Sequence, residues 1–228
     1  MIFSKYIQTH FFDLAFGERS GSVADTGTQV WTGRDDMIEL YFRDCDHLEA
    51  CFGSEHVGKT IGPDGANFND LETAISLMAA EKEHEFESAI AVPSEARESS
   101  RTVAVLFLAP TSKDTEEQLE QSFSPALVKA LQAHAAGDVY GLQANIGTPT
   151  SQFDIRTYFG GKNMPEYLVT YKIYIKDSRS VAAVRKAQKA LMEDVGDLVD
   201  ASNTFIAFGK EGLVLDIGTG MKVSVLGL

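Results

Sequence analysis

Glu39 and Tyr41 stand two positions apart in the run Met37-Ile-Glu-Leu-Tyr-Phe-Arg-Asp44. In a strand, period-two alternation puts Met37, Glu39 and Tyr41 on one face and Ile38, Leu40 and Phe42 on the other. If the aliphatic face packs on helices, the first face looks toward an opposing sheet. An earlier candidate strand, Lys5-Tyr-Ile-Gln-Thr-His-Phe-Phe-Asp13, carries Tyr6, Gln8, His10 and Phe12 on one face, which is taken to share the wall of Glu39. A carboxylate, an imidazole and a phenol under apolar cover can trade protons near neutral pH, because burial moves carboxyl and imidazole pKa values toward neutrality. The expected catalytic set is Glu39 or His10 as base with Tyr41 as hydrogen-bond donor. Tyr6, Gln8, Phe12 and Met37 would contact the substrate. The plainer alternative is a structural pair between Glu39 and Lys172 with His10 hydrogen-bonded nearby, since an inward charge is costly without a partner.

Lys172 enters through an internal echo. The segment Leu40-Tyr-Phe-Arg-Asp44 recurs as Ile173-Tyr-Ile-Lys-Asp177, and Ile7-Gln-Thr-His10 recurs as Leu142-Gln-Ala-Asn145. Two echoes in the same order suggest a duplicated fold. The second copy then places Gln143, Asn145, Lys172 and Tyr174 where Gln8, His10, Glu39 and Tyr41 stand in the first, and these four join the expected binding set.

The elements that must position these groups follow from pattern. Lys5 to Asp13 and Met37 to Phe42 read as strands separated by a polar loop from Gly17 to Gly33. Asp44 suits an N-cap for a helix carrying Cys45, Leu48 and Phe52 and stopping near Gly53. Leu71 to Met78 closes the unit as a strand. A short polar stretch with Pro93 divides the chain into units 1–92 and 101–228. The second unit reads as strand Thr102 to Ala109, helical residues 114–135, strands Val139 to Ile146 and Tyr167 to Ile175, and a helix over 180–199. It closes with a strand at Phe205 to Phe208 or Gly212 to Asp216. Ser124-Pro125 is read as the start of a separate helix. That order, β-α-β-β-α-β, is ferredoxin-like. The expected class is α+β, with two tandem ferredoxin-like repeats, the first lacking its opening strand and helix.

From about residue 5 to 83 the sequence resembles the EthD family of the dimeric α/β-barrel superfamily. The residues that carry this are Lys5-Tyr-Ile-Gln-Thr-His10, Asp35-Asp-Met-Ile-Glu-Leu-Tyr-Phe42, Phe52-Gly-Ser54, Pro63-Asp64 and Asn67-Phe-Asn-Asp70. The resemblance implies that the two tandem ferredoxin-like repeats pair their sheets face to face, forming a pseudo-dimeric α/β barrel around a ligand cavity. Family members include an accessory protein of ether degradation, and related small barrels include dehydratases, isomerases, decarboxylases and cofactor-free oxygenases. In the family a strand and a helix with a His-x-x-Pro element precede the segment matching Lys5. Nothing here matches them, and Lys222-Val-Ser-Val-Leu226 or a partner subunit is the suggested filler. Asp64, Asn67 and Asp70 would shape the cavity mouth or simply form Asx-type turns.

The 228 residues carry a net charge of −13, with 7 basic and 19 acidic side chains in residues 1–100. That half repels phosphate backbones, so no nucleic-acid partner is expected. No apolar run reaches a membrane span and no signal-peptide layout opens the chain. With two cysteines and no disulfide framework, the expected location is the cytoplasm. Gly53-Ser-Glu-His-Val-Gly-Lys-Thr60 spells a nucleotide-loop pattern, but Ile-Gly-Pro-Asp-Gly follows where a helix must begin. His47 and Cys51 share a helix face without further obvious metal ligands beyond His56, and Glu81 to Glu87 reads as a solvated strand end. The family resemblance and the polar strand faces together imply small-molecule binding by a barrel with no cofactor and no metal. Its chemistry would be a dehydration, decarboxylation or isomerisation of an aromatic or polyketide-like substrate. The alternative is a non-enzymatic accessory or ligand-binding protein. The expected partner is a small apolar or aromatic ligand, and a homodimer is compatible with the reading.

Overall fold

A computed structural model describes residues 3–16, 35–65, 67, 70–94, 100–111, 115–148, 154–161, 164–218 and 221–222. Eight strands form one antiparallel sheet: β1 (Lys5–Phe16), β2 (Asp36–Tyr41), β3 (Ala79–His84), β4 (Ser100–Leu108), β5 (Val139–Gly147), β6 (Val169–Ile175), β7 (Phe205–Asp216) and the short β8 (Met221–Lys222). Their order is β2-β1-β7-β4-β6-β5-β3, with β8 on β7. The helices are α1 (Cys45–Phe52), α2 (Gly62–Gly65), α3 (Glu116–Ala135), α4 (Ile155–Phe159) and α5 (Val181–Val195). The result is an α+β fold with the sheet curled into an antiparallel half-barrel.

The second half runs β4-α3-β5-β6-α5-β7, and its strands lie side by side as β7-β4-β6-β5. Counted within that half, the order is 4-1-3-2, the ferredoxin-like arrangement. Central β4 is buried from Thr102 to Leu108 because both of its faces are covered. Ala104, Leu106 and Leu108 face α3 and α5 and meet Phe123, Leu127, Val184 and Leu191. Val103, Val105 and Phe107 point to the concave side with Tyr174, Phe205 and Ala207. A strand covered on both faces reads as an unbroken apolar run, as Thr102 to Ala109 does.

The β1–β2 hairpin adds to one edge through β7, and β3 adds to the other through β5. Gly209 makes the β1–β7 contact feasible, since a Cβ there would stand 2.6 Å from the His10 carbonyl oxygen and 2.7 Å from Thr9 Cγ2. Edge strand β3 is fastened from the convex side. Glu120, 2% exposed, accepts from Lys82 Nζ at 2.9 Å and from Ser124 Oγ at 2.9 Å, and His84 Nε2 lies 3.0 Å away. Ser124 in turn shares a 2.7 Å hydrogen bond with Tyr171, which is wholly buried.

Several expectations change. The closing strand of the first half is Ala79–His84, not Leu71 to Met78. Helix α3 runs through Ser124-Pro125 without a break, with Thr115 and Gln118 forming the capping box at its start. Pro125 and Gln121 are both exposed, so the carbonyl that loses its helical N–H faces water. Strand β7 spans both alternatives proposed for the closing strand. Lys222 pairs with Leu215 on β7, not with the free edges of β2 or β3, and residues 223–226 lie outside the described residues. The loop from Gly17 to Gly33 lies outside them too.

The packing predicts a contrast between two phenylalanines. Phe123→Ala, at a fully buried contact with Tyr171, should cost about 3–5 kcal/mol in urea unfolding. Phe12→Ala, at a residue 46% exposed, should change stability by less than about 0.5 kcal/mol. Equal losses would mean that the assignment of faces is wrong.

Candidate functional site

Register decides which side chains meet. Along the hairpin Lys5 faces Tyr41, Ile7 faces Glu39 and Thr9 faces Met37, whereas Tyr6 faces Leu40, Gln8 faces Ile38 and His10 faces Asp36. Directly paired residues share a face. Glu39, Tyr41 and Met37 therefore stand on the concave wall with Ile7 and Thr9. Tyr6, Gln8 and His10 stand on the convex side, and His10 and Phe12 are exposed. The assumption that the two strands presented their polar sets to the same wall fails because the hairpin register pairs odd positions with odd ones. His10 thus leaves the expected catalytic set, and Tyr6, Gln8 and Phe12 leave the binding set. Gln8 Nε2 donates to Asp36 at 3.2 Å on the outer face.

The second-copy residues do reach the concave wall. Lys172 is paired with Gln143 on β5 and Val105 on β4, and Tyr174 with Gly141 and Val103. Lys172 is 1% exposed, and its ammonium lies 2.9 Å from Glu39 Oε2 and in contact with Glu211 Oε2. Arg101 Nε stands 3.8 Å from Glu211 Oε1, with its guanidinium 5.1 Å from the Tyr174 ring centroid. Charges therefore alternate along Glu39, Lys172, Glu211 and Arg101. The Tyr174 hydroxyl donates to Gln143 Oε1 at 3.1 Å, and Gln143 Nε2 donates to Glu83 Oε1 at 3.1 Å. Asn145 Nδ2 donates to Thr170 Oγ1 at 3.3 Å. Across the interval between the free edges of the half-barrel, the Tyr41 hydroxyl on β2 donates to Glu81 on β3.

The electrostatics follow from burial and partners. Burial pushes Glu39 above the usual carboxylate range more strongly than Lys172 pulls it down, and the nearby charges of Glu211 and Glu81 add to the rise. Burial works against the Lys172 ammonium, but Glu39 and Glu211 outweigh it, and its pKa moves up. Lys172 therefore stays charged and is neither a base nor an amine nucleophile. Burial first, then Glu39 and the bond to Glu81, raises Tyr41, and burial leads in pushing Tyr174 up to about 12. Both phenols remain protonated donors. Among these groups Glu39 combines a raised pKa with access, since 15% of its side chain is exposed. The arrangement can accept one proton at a carboxylate beside a fixed cation and a phenolic donor.

Several members of this cluster are absent from the sequence-derived set. Glu211 lies in Gly209-Lys-Glu-Gly212, which looks like a turn, yet the two glycines sit inside one long strand. Arg101 is the second residue of β4, at the end of a polar stretch, and Glu81 and Glu83 belong to the run read as solvated. Their spacing of two was the available signal. Thr9, wholly buried on the same wall, has a hydroxyl without a hydrogen-bond partner among the described residues.

The remaining motifs resolve locally. Asn67 Nδ2 donates to Asp64 at 3.0 Å, and Asp70 accepts from Glu72 N and Thr73 Oγ1, which are turn contacts. Val57–Ile61 is a π-helical turn and Lys59 pairs with Glu55, so 53–60 lacks the strand-loop-helix geometry of a nucleotide loop. His47 Nδ1 accepts from Arg43 N at 3.3 Å. Among the described residues no helix is long and apolar enough to cross a membrane.

With the geometry in place, comparisons with known proteins carry weight. Residues 3–72 match the family model of the EthD domain, so the β1–β2 hairpin and the α1 region are EthD-like. No curated protein matches the chain. The crystal structure of an anthrone oxidase-like protein matches with a TM-score of 0.53 at 12% identity, over 99% of this chain and 84% of that one. At that identity the likeness speaks for the fold, and it supports the α/β-barrel class.

The ion cluster predicts a pH-dependent stability defect. Lys172→Met leaves the buried Glu39 carboxylate without its cation and Glu211 with Arg101 alone at 3.8 Å, and should cost about 3–5 kcal/mol at pH ~7. Without the ammonium nothing offsets burial at Glu39, and its folded-state pKa rises further above the unfolded value. The folded variant then binds more protons than the unfolded chain, and its stability falls as pH rises. Urea unfolding at pH ~5 should therefore show a smaller loss than at pH ~7. A loss that grows on acidification would contradict the assignment of Lys172 as the shared partner.

Proposed function

We propose that the chain binds a small aromatic or polyketide-like molecule against the concave wall and catalyses proton transfer on it, with Glu39 as the base. The observation that supports this most directly is the accessible Glu39 carboxylate, raised by burial yet held 2.9 Å from a permanently charged Lys172. A substrate with a C–H next to a carbonyl gives that proton to Glu39 as its electron pair moves onto the carbonyl oxygen. Tyr41, exchanging its bond to Glu81 for one to the substrate, donates to that oxygen. Lys172 remains charged throughout and fixes the orientation of Glu39. Return of the proton to a different carbon gives isomerisation, and its delivery from Glu39 to a β-hydroxyl, which leaves as water while the enolate electrons form the C=C bond, gives dehydration. Met37, Gln143, Asn145 and Tyr174 would contact the substrate.

The organisation that supports this reading is itself a proposal. Residues 1–92 form an incomplete ferredoxin-like repeat and 101–228 a complete one. The β1–β7 and β3–β5 pairings are the two seams expected when strand 2 of each repeat meets strand 4 of the other, and the position of the missing strand falls between β2 and β3. A second functional reading, a binder without turnover, draws on the near-complete internal pairing of the cluster from Glu39 to Arg101.

Anthrone is a suitable probe, because its methylene is an acidic C–H beside an aromatic ketone system and the structural neighbour bears its name. Methylene hydrogen–deuterium exchange followed by NMR should accelerate with the protein. Glu39→Gln should lower the catalysed rate by about 10²–10⁴-fold, and Tyr41→Phe by about tenfold or more with binding retained. Full exchange in Glu39→Gln overturns the assignment of the base. Binding without any catalysed exchange favours the second reading.

A further inference from the structure

Proton transfer to Glu39 moves a negative charge from that carboxylate to the oxygen that receives the Tyr41 hydrogen bond. Lys172 does not follow the charge, because its buried ammonium is fixed between Glu39 and Glu211. Arg101 stands beyond Glu211, at the other end of the charge row. Tyr41 supplies a dipole and not a charge. Burial, Glu39 and the bond to Glu81 hold its phenol above the ordinary range, so it donates a hydrogen bond and keeps its proton. A cation on the Tyr41 side of Glu39 is what this chemistry still needs.

Lys5 is placed to be that cation. It pairs with Tyr41 across the hairpin, and directly paired side chains share a face. Its Nζ lies 4.5 Å from the centroid of the Tyr41 ring, a cation–π contact that keeps the ammonium beside the phenol. Lys5 is half-buried, so its stem packs on the wall while its head stays within reach of a bound molecule. No ion pair engages it among the described residues. Its neighbour on β7, Asp216, accepts from Gly218 N at 2.9 Å. Lys82, the lysine of β3, is turned to the convex side and held by Glu120.

We infer that Lys5 is the oxyanion-stabilising residue of this site: its ammonium and the Tyr41 hydroxyl together hold the enolate oxygen while Glu39 carries the proton. This rests on the proton-transfer reading of Glu39. The C–H electron pair moves onto the carbonyl oxygen, the proton goes to Glu39, and Lys5 gives up none of its own. A cation already in place where charge develops needs no rearrangement during the step. It also orients the substrate, with its oxygen toward the β1–β2 hairpin and its acidic carbon toward Glu39.

Exchange of the anthrone methylene hydrogens in Lys5→Met and Lys5→Arg tests this. Neutral anthrone offers the ammonium no charge before the transfer. Lys5→Met should therefore lower kcat about tenfold or more and leave KM within about twofold. Lys5→Arg, which keeps the cation, should recover most of the rate. A second measurement needs no turnover. In the Glu39→Gln chain the base is neutral, as it is after proton transfer, and bound 4-nitrophenol should ionise at lower pH than in water, read from phenolate absorbance. Adding Lys5→Met should weaken phenolate binding about tenfold or more and leave phenol binding in place. Adding Lys129→Met instead, at an exposed pair with Asp194, should change neither. An unchanged kcat in Lys5→Met, a rise in KM alone, or a phenolate preference that is absent or survives the loss of Lys5 would overturn the inference. No exchange in the unaltered chain, with a phenolate preference that Lys5→Met removes, would fault the proton-transfer reading and leave the Lys5 oxyanion site standing.

Discussion

One buried ammonium organises the concave wall. Lys172 comes from β6, near the centre of the sheet, while Glu39 and Glu211 come from β2 and β7 on the side where the hairpin is added. The contact therefore ties the EthD-like first part of the chain to the ferredoxin-like second part through charge as well as backbone. Removing two carboxylates and an amine from water is expensive, and such a group is tolerated only when every charge is matched. Arg101 completes the match at the far end. Glu39, at the end nearest the free edges, keeps partial access to solvent. The same arrangement that holds the hairpin also places a carboxylate of raised pKa where a molecule could reach it.

The free edges of the half-barrel are managed rather than left open. On the concave side Tyr41 reaches Glu81, which couples β2 to β3 without a backbone ladder. On the convex side the buried Glu120 draws Lys82 and His84 of β3 onto α3, and Ser124 links that contact to Tyr171. Alternate residues of one short strand thus serve two faces. Glu81 and Glu83 belong to the site, and Lys82 and His84 belong to the support behind it. Unpaired strand edges invite association with other chains, and the charged sequence of β3 opposes that while meeting both needs.

Much of this was legible in the residues. The continuous apolar run of β4, the cap at Asp44 and the β-α-β-β-α-β order all follow from local pattern, and the echo of residues 40–44 at 173–177 brought Lys172 and Tyr174 to the wall of Glu39. Three things were hidden, each for a physical reason. The hairpin register, which sends His10 outward, is set by which positions pair across a long connection, and no local periodicity encodes that. Glu211 was masked by Gly209 and Gly212, which look like turn residues, whereas both sit inside β7 and Gly209 serves its close packing on Thr9 and His10. Pro125 looked like a helix start because its cost depends on whether the freed carbonyl faces water, which tertiary position decides.

The account rests on Glu39 being a carboxyl group that burial raises despite its contact with Lys172. Carbon-detected NMR titration of the glutamate side-chain carboxyls, with Glu39→Gln used to assign the signal, measures this directly. The account predicts a midpoint for Glu39 above the ordinary glutamate value of 4.5, and an upward move of that midpoint when Lys172 is replaced by methionine. A midpoint at or below the ordinary value, unchanged by loss of Lys172, would contradict it.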